Sequence, residues 1–264
     1  MVIVTVPLCI IKAYNPMMKK LFTLFTLLLL TACATATPVP TLTPASDSTP
    51  TSVPTQKAVE MPKIRYLALG DSYTIGEKVS EKDRWSNQLA KSLEGEGIQT
   101  DVTIIARTGW TVDELWQGIQ TNPPEGTYDL VTLLIGVNDQ YRGYPVDGYR
   151  EDFRFMLGKA TEYAGGDGNR VVVLSIPDWG FTPFAATSGD TEPISQQIDA
   201  FNVVNLEETE SVGAHYVDVT TISRMAMDDF ELITGDQLHP SGKMYAMWAE
   251  KVLPVVINIL NGAK

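Results

Sequence analysis

Cysteine and histidine are almost absent from this 264-residue chain, which has two of each: Cys9 and Cys33, His215 and His239. Both cysteines fall within residues 1–33, so a chain that starts at Cys33 has no cysteine pair. That excludes disulfides and any CxxC metal or redox site. Basic residues are also scarce, with 20 Lys and Arg against 32 Asp and Glu, a net charge of −12. Residues 1–33 hold Lys12, Lys19 and Lys20 and no acid, which leaves 17 basic against 32 acidic residues and a net of −15. So acidic a surface argues against nucleic acid or anionic lipid as an electrostatic partner. The apolar run near the start covers only about a dozen residues, too short for a membrane span.

That run is "LFTLFTLLLLTAC", preceded by Met17-Met18-Lys19-Lys20. A short basic region followed by an apolar stretch reads as a secretory signal, with Met17 or Met18 the better start. Small residues before Cys33 resemble a bacterial lipobox, in which the cysteine is lipidated and becomes the mature N-terminus. The expectation is a signal peptide over 1–33, with a lipid anchor at Cys33 holding the protein to a bacterial membrane outside the cytoplasm. Residues 34–60 are rich in Thr, Pro and Ser without apolar periodicity, which predicts a tether. Residues 61–264 remain as one domain, large enough for a substantial core.

Within that domain, apolar runs alternate with helical patterns. Strands are expected at 63–70, 101–106, 128–136, 170–177 and 214–219. Helices are expected at 84–97, 111–120, 147–164, 194–212 and 240–261. Thr111 with Glu114 three residues on is a capping-box pattern. The strand runs are nearly continuous in apolar character, as when helices cover both faces of a sheet. This predicts an α/β fold: a three-layer α/β/α sandwich with a mostly parallel five-stranded sheet. Ligands in such sheets bind beyond the carboxyl ends of the strands.

Four segments sit at those ends: "GDS" with Ser72, "RTGW" with Gly109, "GVND" with Asn138, and "DQLHP" with Asp236 and His239. Together they offer a hydroxyl, an unobstructed backbone N–H, a carboxamide donor and an imidazole beside a carboxylate. Those are the parts acyl transfer needs. A serine hydroxyl is protonated at neutral pH and needs an adjacent base, a part imidazole fills. Asp236, three residues before His239, can reach the imidazole and hold one tautomer. Gly109 lets the backbone approach closely.

In order and content these segments resemble the blocks of the SGNH, or GDSL, hydrolase family of serine esterases and lipases. The resemblance spans 70–240. It implies a flavodoxin-like fold, Ser72 as nucleophile, His239 as general base and Asp236 as its orienting carboxylate. It also implies an oxyanion hole made by the N–H groups of Ser72 and Gly109 and the amide of Asn138. No cofactor or metal is implied. The substrates implied are small-molecule, carbohydrate or lipid esters: acetylated sugars, lysophospholipids, short acyl or thioesters. The first block reads Gly-Asp-Ser-Tyr rather than Gly-Asp-Ser-Leu, which puts substrate preference in question at Tyr73.

Around these residues, Tyr73, Trp110, Tyr141, Arg142 and Trp179 are the candidate substrate contacts, with Arg142 suited to an anionic group. Asp71 and Asp139 read as structural, and His215 as a packing or surface residue. Two other functions fit the sequence less well. A phosphate-binding loop is disfavoured by Asp71 and Glu77 and by the lack of a Walker lysine. A non-catalytic ligand-binding surface lipoprotein on the same fold is disfavoured because all five proposed functional positions are filled. The α/β-hydrolase pattern Gly-x-Ser-x-Gly is missing, since Thr74 stands where its second Gly would be.

Overall fold

The computed structural model describes residues 63–187, 189 and 191–262. The expected signal peptide, the Cys33 anchor and the tether lie outside the described residues. Among these residues the sheet has five strands, all parallel: β1 (Lys63–Gly70), β2 (Gln99–Ala106), β3 (Leu130–Leu134), β4 (Val171–Leu174) and β5 (His215–Val217). Nine α-helices alternate with them: α1 (Ser72–Ile75), α2 (Trp85–Gly95), α3 (Val112–Thr121), α4 (Val137–Tyr141), α5 (Val146–Tyr163), α6 (Pro183–Ala186), α7 (Thr191–Ser211), α8 (Thr220–Ser223) and α9 (Gly242–Gly262).

Helices α2 and α9 pack together on one side, and α3, α5 and α7 form the other layer. The sheet between them is dry. Every residue of β3 and β4 is buried, which is why those segments read as nearly continuous apolar runs. The one polar residue in β3, Thr132, is satisfied by the Tyr66 hydroxyl of β1 at 2.9 Å. Trp85 of α2 and Trp248 of α9 are fully buried on the opposite face from Tyr149 and Phe153 of α5. The latter pair packs with Phe201 of α7 in a stack with centroids 4.3 Å apart between Tyr149 and Phe201.

The strand order is β2-β1-β3-β4-β5. Chain direction through the sheet reverses between β1 and β3, which makes the crevice above their carboxyl ends the topological switch point. Gly70 aligns with Ala106 of β2 and with Leu134 of β3, so three strands end in one row. Ser72, Gly109 and Asn138 follow that row by two, three and four residues. None of the described helices is long and apolar enough to cross a membrane.

Candidate active site

The nucleophile candidate is set by its two neighbours. A Cβ on Gly70 would lie 2.2 Å from Thr74 Oγ1 and 2.4 Å from the Leu134 carbonyl, so only glycine lets the chain turn this close to β3. Asp71 then caps α1, its Oδ1 accepting the Tyr73 N–H at 2.9 Å. Ser72 occupies the first helical position, where its own N–H has no intrahelical acceptor. The side chain is buried, and its hydroxyl makes no hydrogen bond among the described residues.

Gly109 sits in a turn closed by the Trp110 N–H on the Arg107 carbonyl at 3.2 Å, with φ +86°. That φ is the region glycine enters without cost. An added Cβ would meet no protein atom within 4 Å, so backbone conformation rather than packing demands glycine here.

Asn138 lies in α4, which starts after Gly136 at φ +119°. Its Nδ2 donates one proton to the Trp110 carbonyl at 2.9 Å, which fixes the amide and leaves its second proton free. Asp139 accepts the Val112 N–H with both oxygens, at 3.2 and 3.3 Å, and so pins the start of α3.

His239 and Asp236 share a short loop held by the Thr234 N–H on the His239 carbonyl at 2.8 Å. Asp236 Oδ2 is 2.7 Å from His239 Nδ1. Its other oxygen accepts the Leu238 and His239 N–H groups, both at 3.0 Å, and the Thr234 hydroxyl at 2.8 Å. Partial burial pushes this carboxyl up, but the hydrogen bonds from His239, Leu238 and Thr234 outweigh it and hold the pKa down to about 2. An ionised Asp236 keeps the proton on Nδ1 and leaves Nε2 as the basic nitrogen.

The two other carboxylates behave oppositely. Burial pushes Asp71 up to about 8, with the nearby Asp139 adding to the effect and the Tyr73 N–H opposing it. Burial pushes Asp139 up to about 7, against the Val112 N–H. Asp71 Oδ2 is buried with no partner.

Ser72, Gly109, Asn138 and His239 line one cavity of about 240 Å³. A larger hollow of about 580 Å³ lies among Lys63, Lys91, Glu94 and Gln99, at the amino ends of β1 and β2, away from these groups. Among the described residues no cluster of three or more His, Cys, Asp or Glu is placed to hold a metal ion. Residues 68–247 match the model of the GDSL-like lipase/acylhydrolase family. The chain belongs to that family.

This GDSL hydrolase is a carboxylic ester hydrolase. No curated protein matches it. Many solved structures are similar to it. A member of the lipolytic G-D-S-L family from Veillonella parvula is 18% identical at a TM-score of 0.57, over 73% of this chain and 98% of that one. TesA is 20% identical at 0.58, over 74% and 99%. An acetylxylan esterase from Geobacillus stearothermophilus is 16% identical at 0.58, over 74% and 95%. At these identities the likeness speaks for the fold alone.

The candidate substrate contacts of the hydrolase divide. Tyr73, Tyr141 and Trp179 line the cavity. Tyr73 is buried beside His239, ring centroids 5.9 Å apart, and also meets Trp248. Trp179 is fixed by its Nε1–H on Gln140 Oε1 at 2.8 Å, and stands between Tyr141 and Phe184. Trp110 does not line the cavity. Its ring lies against Gly118 of α3, where a Cβ would come within 2.1 Å of it. Arg142 does not line the cavity either, and its guanidinium is held by Glu114 and the Gly109 carbonyl. Thr108, Val137, Phe184 and Leu238 also line the cavity and were missed. Phe184 shares the loop "IPDWGFTPF" with Trp179, and Leu238 sits inside "DQLHP", so proximity to named residues was the available signal.

Proposed function

We propose that the protein hydrolyses short-chain, uncharged carboxylic esters by covalent serine catalysis, outside the cytoplasm and tethered through a lipid at Cys33. The observation that carries this reading is that Ser72, Gly109 and Asn138, just beyond the ends of β1, β2 and β3, meet His239, from the loop before α9, in one cavity.

The chemistry follows from those groups. Ser72 Oγ attacks the ester carbonyl carbon while His239 Nε2 takes the hydroxyl proton. Negative charge moves to the carbonyl oxygen, where the N–H groups of Ser72 and Gly109 and the free Nδ2 proton of Asn138 receive it. Each such donor is worth about 2.7–4 kcal/mol of barrier in a comparable site. The imidazolium then protonates the departing alkoxide, leaving an acyl-Ser72 ester. Water attacks this ester with His239 as base, and the acid and free Ser72 are released. Asp236, held ionised, stabilises the imidazolium formed in both halves.

The cavity supports the substrate class. Its wall is largely aromatic and aliphatic, with no Lys, Arg, Asp or Glu among its lining side chains. At about 30 Å³ for a water-sized group, about 240 Å³ holds roughly eight such groups. That suits an acetyl or short acyl chain with part of its alcohol. An acetylated carbohydrate is one such ester, and the similar fold of an acetylxylan esterase makes it a candidate worth assaying.

The test is turnover of p-nitrophenyl acetate by the purified protein, with fluorophosphonate labelling, beside Ser72→Ala and His239→Ala. Turnover and labelling at Ser72 in the parent alone are expected. A parent protein that neither turns over short esters nor labels at Ser72 sinks the reading. Cys33→Ala should be released from membranes or left unprocessed, and normal processing with membrane retention would refute the anchor.

A further inference from the structure

Gly109 presents its N–H from a glycine turn, and glycine alone does not fix where that N–H points. Among the described residues no acceptor holds it, so its direction depends on what ties the rest of the turn. The ties come from both flanks. Thr108 donates its hydroxyl to Glu77 Oε2 at 2.5 Å, which joins the turn to the segment after Ser72. On the far side, Arg142 Nη2 donates to the Gly109 carbonyl at 2.7 Å. The same guanidinium is gripped by Glu114, with Nη1 to Oε1 at 3.1 Å and Nη2 to Oε2 at 2.9 Å. Glu114 Oε2 also accepts the Thr111 N–H at 3.1 Å, two residues beyond Gly109.

We propose that Arg142, clamped by Glu114, is a positioning residue for the Gly109 amide. Resting on the serine-esterase reading above, this makes the pair a support of the oxyanion site rather than a substrate contact. Arg142 follows directly on α4, the helix that carries Asn138, and Glu114 lies in α3, which begins after the turn. The clamp therefore ties two oxyanion donors into one unit. Asn138 reinforces it by donating to the Trp110 carbonyl. A guanidinium suits the task because its planar fork reaches a carboxylate and a carbonyl at once, which a lysine ammonium does not reproduce. Three of the five guanidinium N–H groups are spent on Glu114 and the Gly109 carbonyl.

The test uses Arg142→Ala, Arg142→Lys, Glu114→Ala and Arg142→Ala/Glu114→Ala in the purified protein. For p-nitrophenyl acetate, Arg142→Ala should lose about tenfold in kcat, a fraction of the 10²–10³ for deleting a donor outright. KM should change less than about twofold, because the clamp acts on the charge that develops in the reaction. Lysine should restore only part of kcat, and the Arg142→Ala and Glu114→Ala losses should combine less than additively in the double variant. Hydrogen–deuterium exchange over residues 107–112 should quicken in Arg142→Ala while the strands keep their protection. Unchanged kcat, a loss confined to KM, or unaltered exchange over 107–112 would each overturn the proposal. Exchange needs no turnover, so it judges the clamp even if the parent and Ser72→Ala show the esterase reading to be wrong.

Discussion

Asp71 offers a test of stability that runs against the usual pH dependence of carboxylates. Its side chain is fully buried, one oxygen caps α1 and the other has no partner. Its pKa moves from 3.8 to about 8 on folding, so the folded state binds the proton more tightly than the unfolded chain does. A raised folded pKa means stability is full below the unfolded value, about 4, and is lost as pH rises toward 8. At about 1.36 kcal/mol per pH unit, that separation sets a ceiling of roughly 6 kcal/mol. Local relaxation and water entry reduce this, and roughly 1–3 kcal/mol is the expected loss. Asp71→Asn keeps the acceptor for the Tyr73 N–H and removes the ionisation. For a domain of this size about 2–4 °C accompanies each kcal/mol. The variant should therefore melt about 2–12 °C above the parent at pH 8, with the gap narrowing steadily as pH falls toward 5. Comparing the two proteins at each pH cancels the titration of Asp236 and other shared groups. Scanning calorimetry of both at pH 5, 6, 7 and 8 decides the matter. An equal difference at every pH, or a variant less stable at pH 8, would refute the assignment of a neutral Asp71.

Other outcomes follow from the same coordinates. Asn138→Ala should cost about 10²–10³ in kcat with little change in thermal midpoint, read by steady-state kinetics and melting together. Gly70→Ala places a methyl against the Leu134 carbonyl, 2.4 Å away, so it should lose about 3 kcal/mol or fail to fold, read by denaturant unfolding. Trp179→Ala removes the ring fixed by Gln140 and opens the cavity, so the ratio of kcat/KM for octanoate over acetate p-nitrophenyl esters should rise about tenfold.

Much of this was legible in the chain because the signals are local. The runs at 63–70 and 170–177 have apolar centres, at 66–69 and 171–174, and β1 and β4 fall on them, although β4 stops at Leu174. Beyond it the Ser175 N–H still reaches the Val217 carbonyl of β5 at 3.0 Å, while its hydroxyl accepts the Val219 and Thr220 N–H groups of the loop after β5. The capping box at Thr111 and Glu114 also reads directly, since both partners lie within one turn. The five residues after Gly136 form α4, a helix absent from the expected elements because five residues carry too short a period to register. The misplaced contacts have another cause. Arg142 meets Glu114 across 28 positions of sequence, and the ring of Trp110 turns onto Gly118 of the next helix. Adjacency to a motif says that a residue is near the site, but not which way its side chain leaves the backbone.

The common row formed by Gly70, Ala106 and Leu134 carries a consequence about spacing. Beyond that row, each strand has a fixed count of residues before its reacting or donating group. Substitution is not the only hazard there. One extra residue after Gly70, Ala106 or Leu134 would rotate and shift the group beyond it by about 3 Å, more than a hydrogen-bonded site can absorb. The loop at 122–127, leading into β3 at its amino end, has no such count to keep. A library of single-residue insertions should thus show three short intolerant windows on one rim and permissive loops on the other, a pattern visible without any knowledge of the ester.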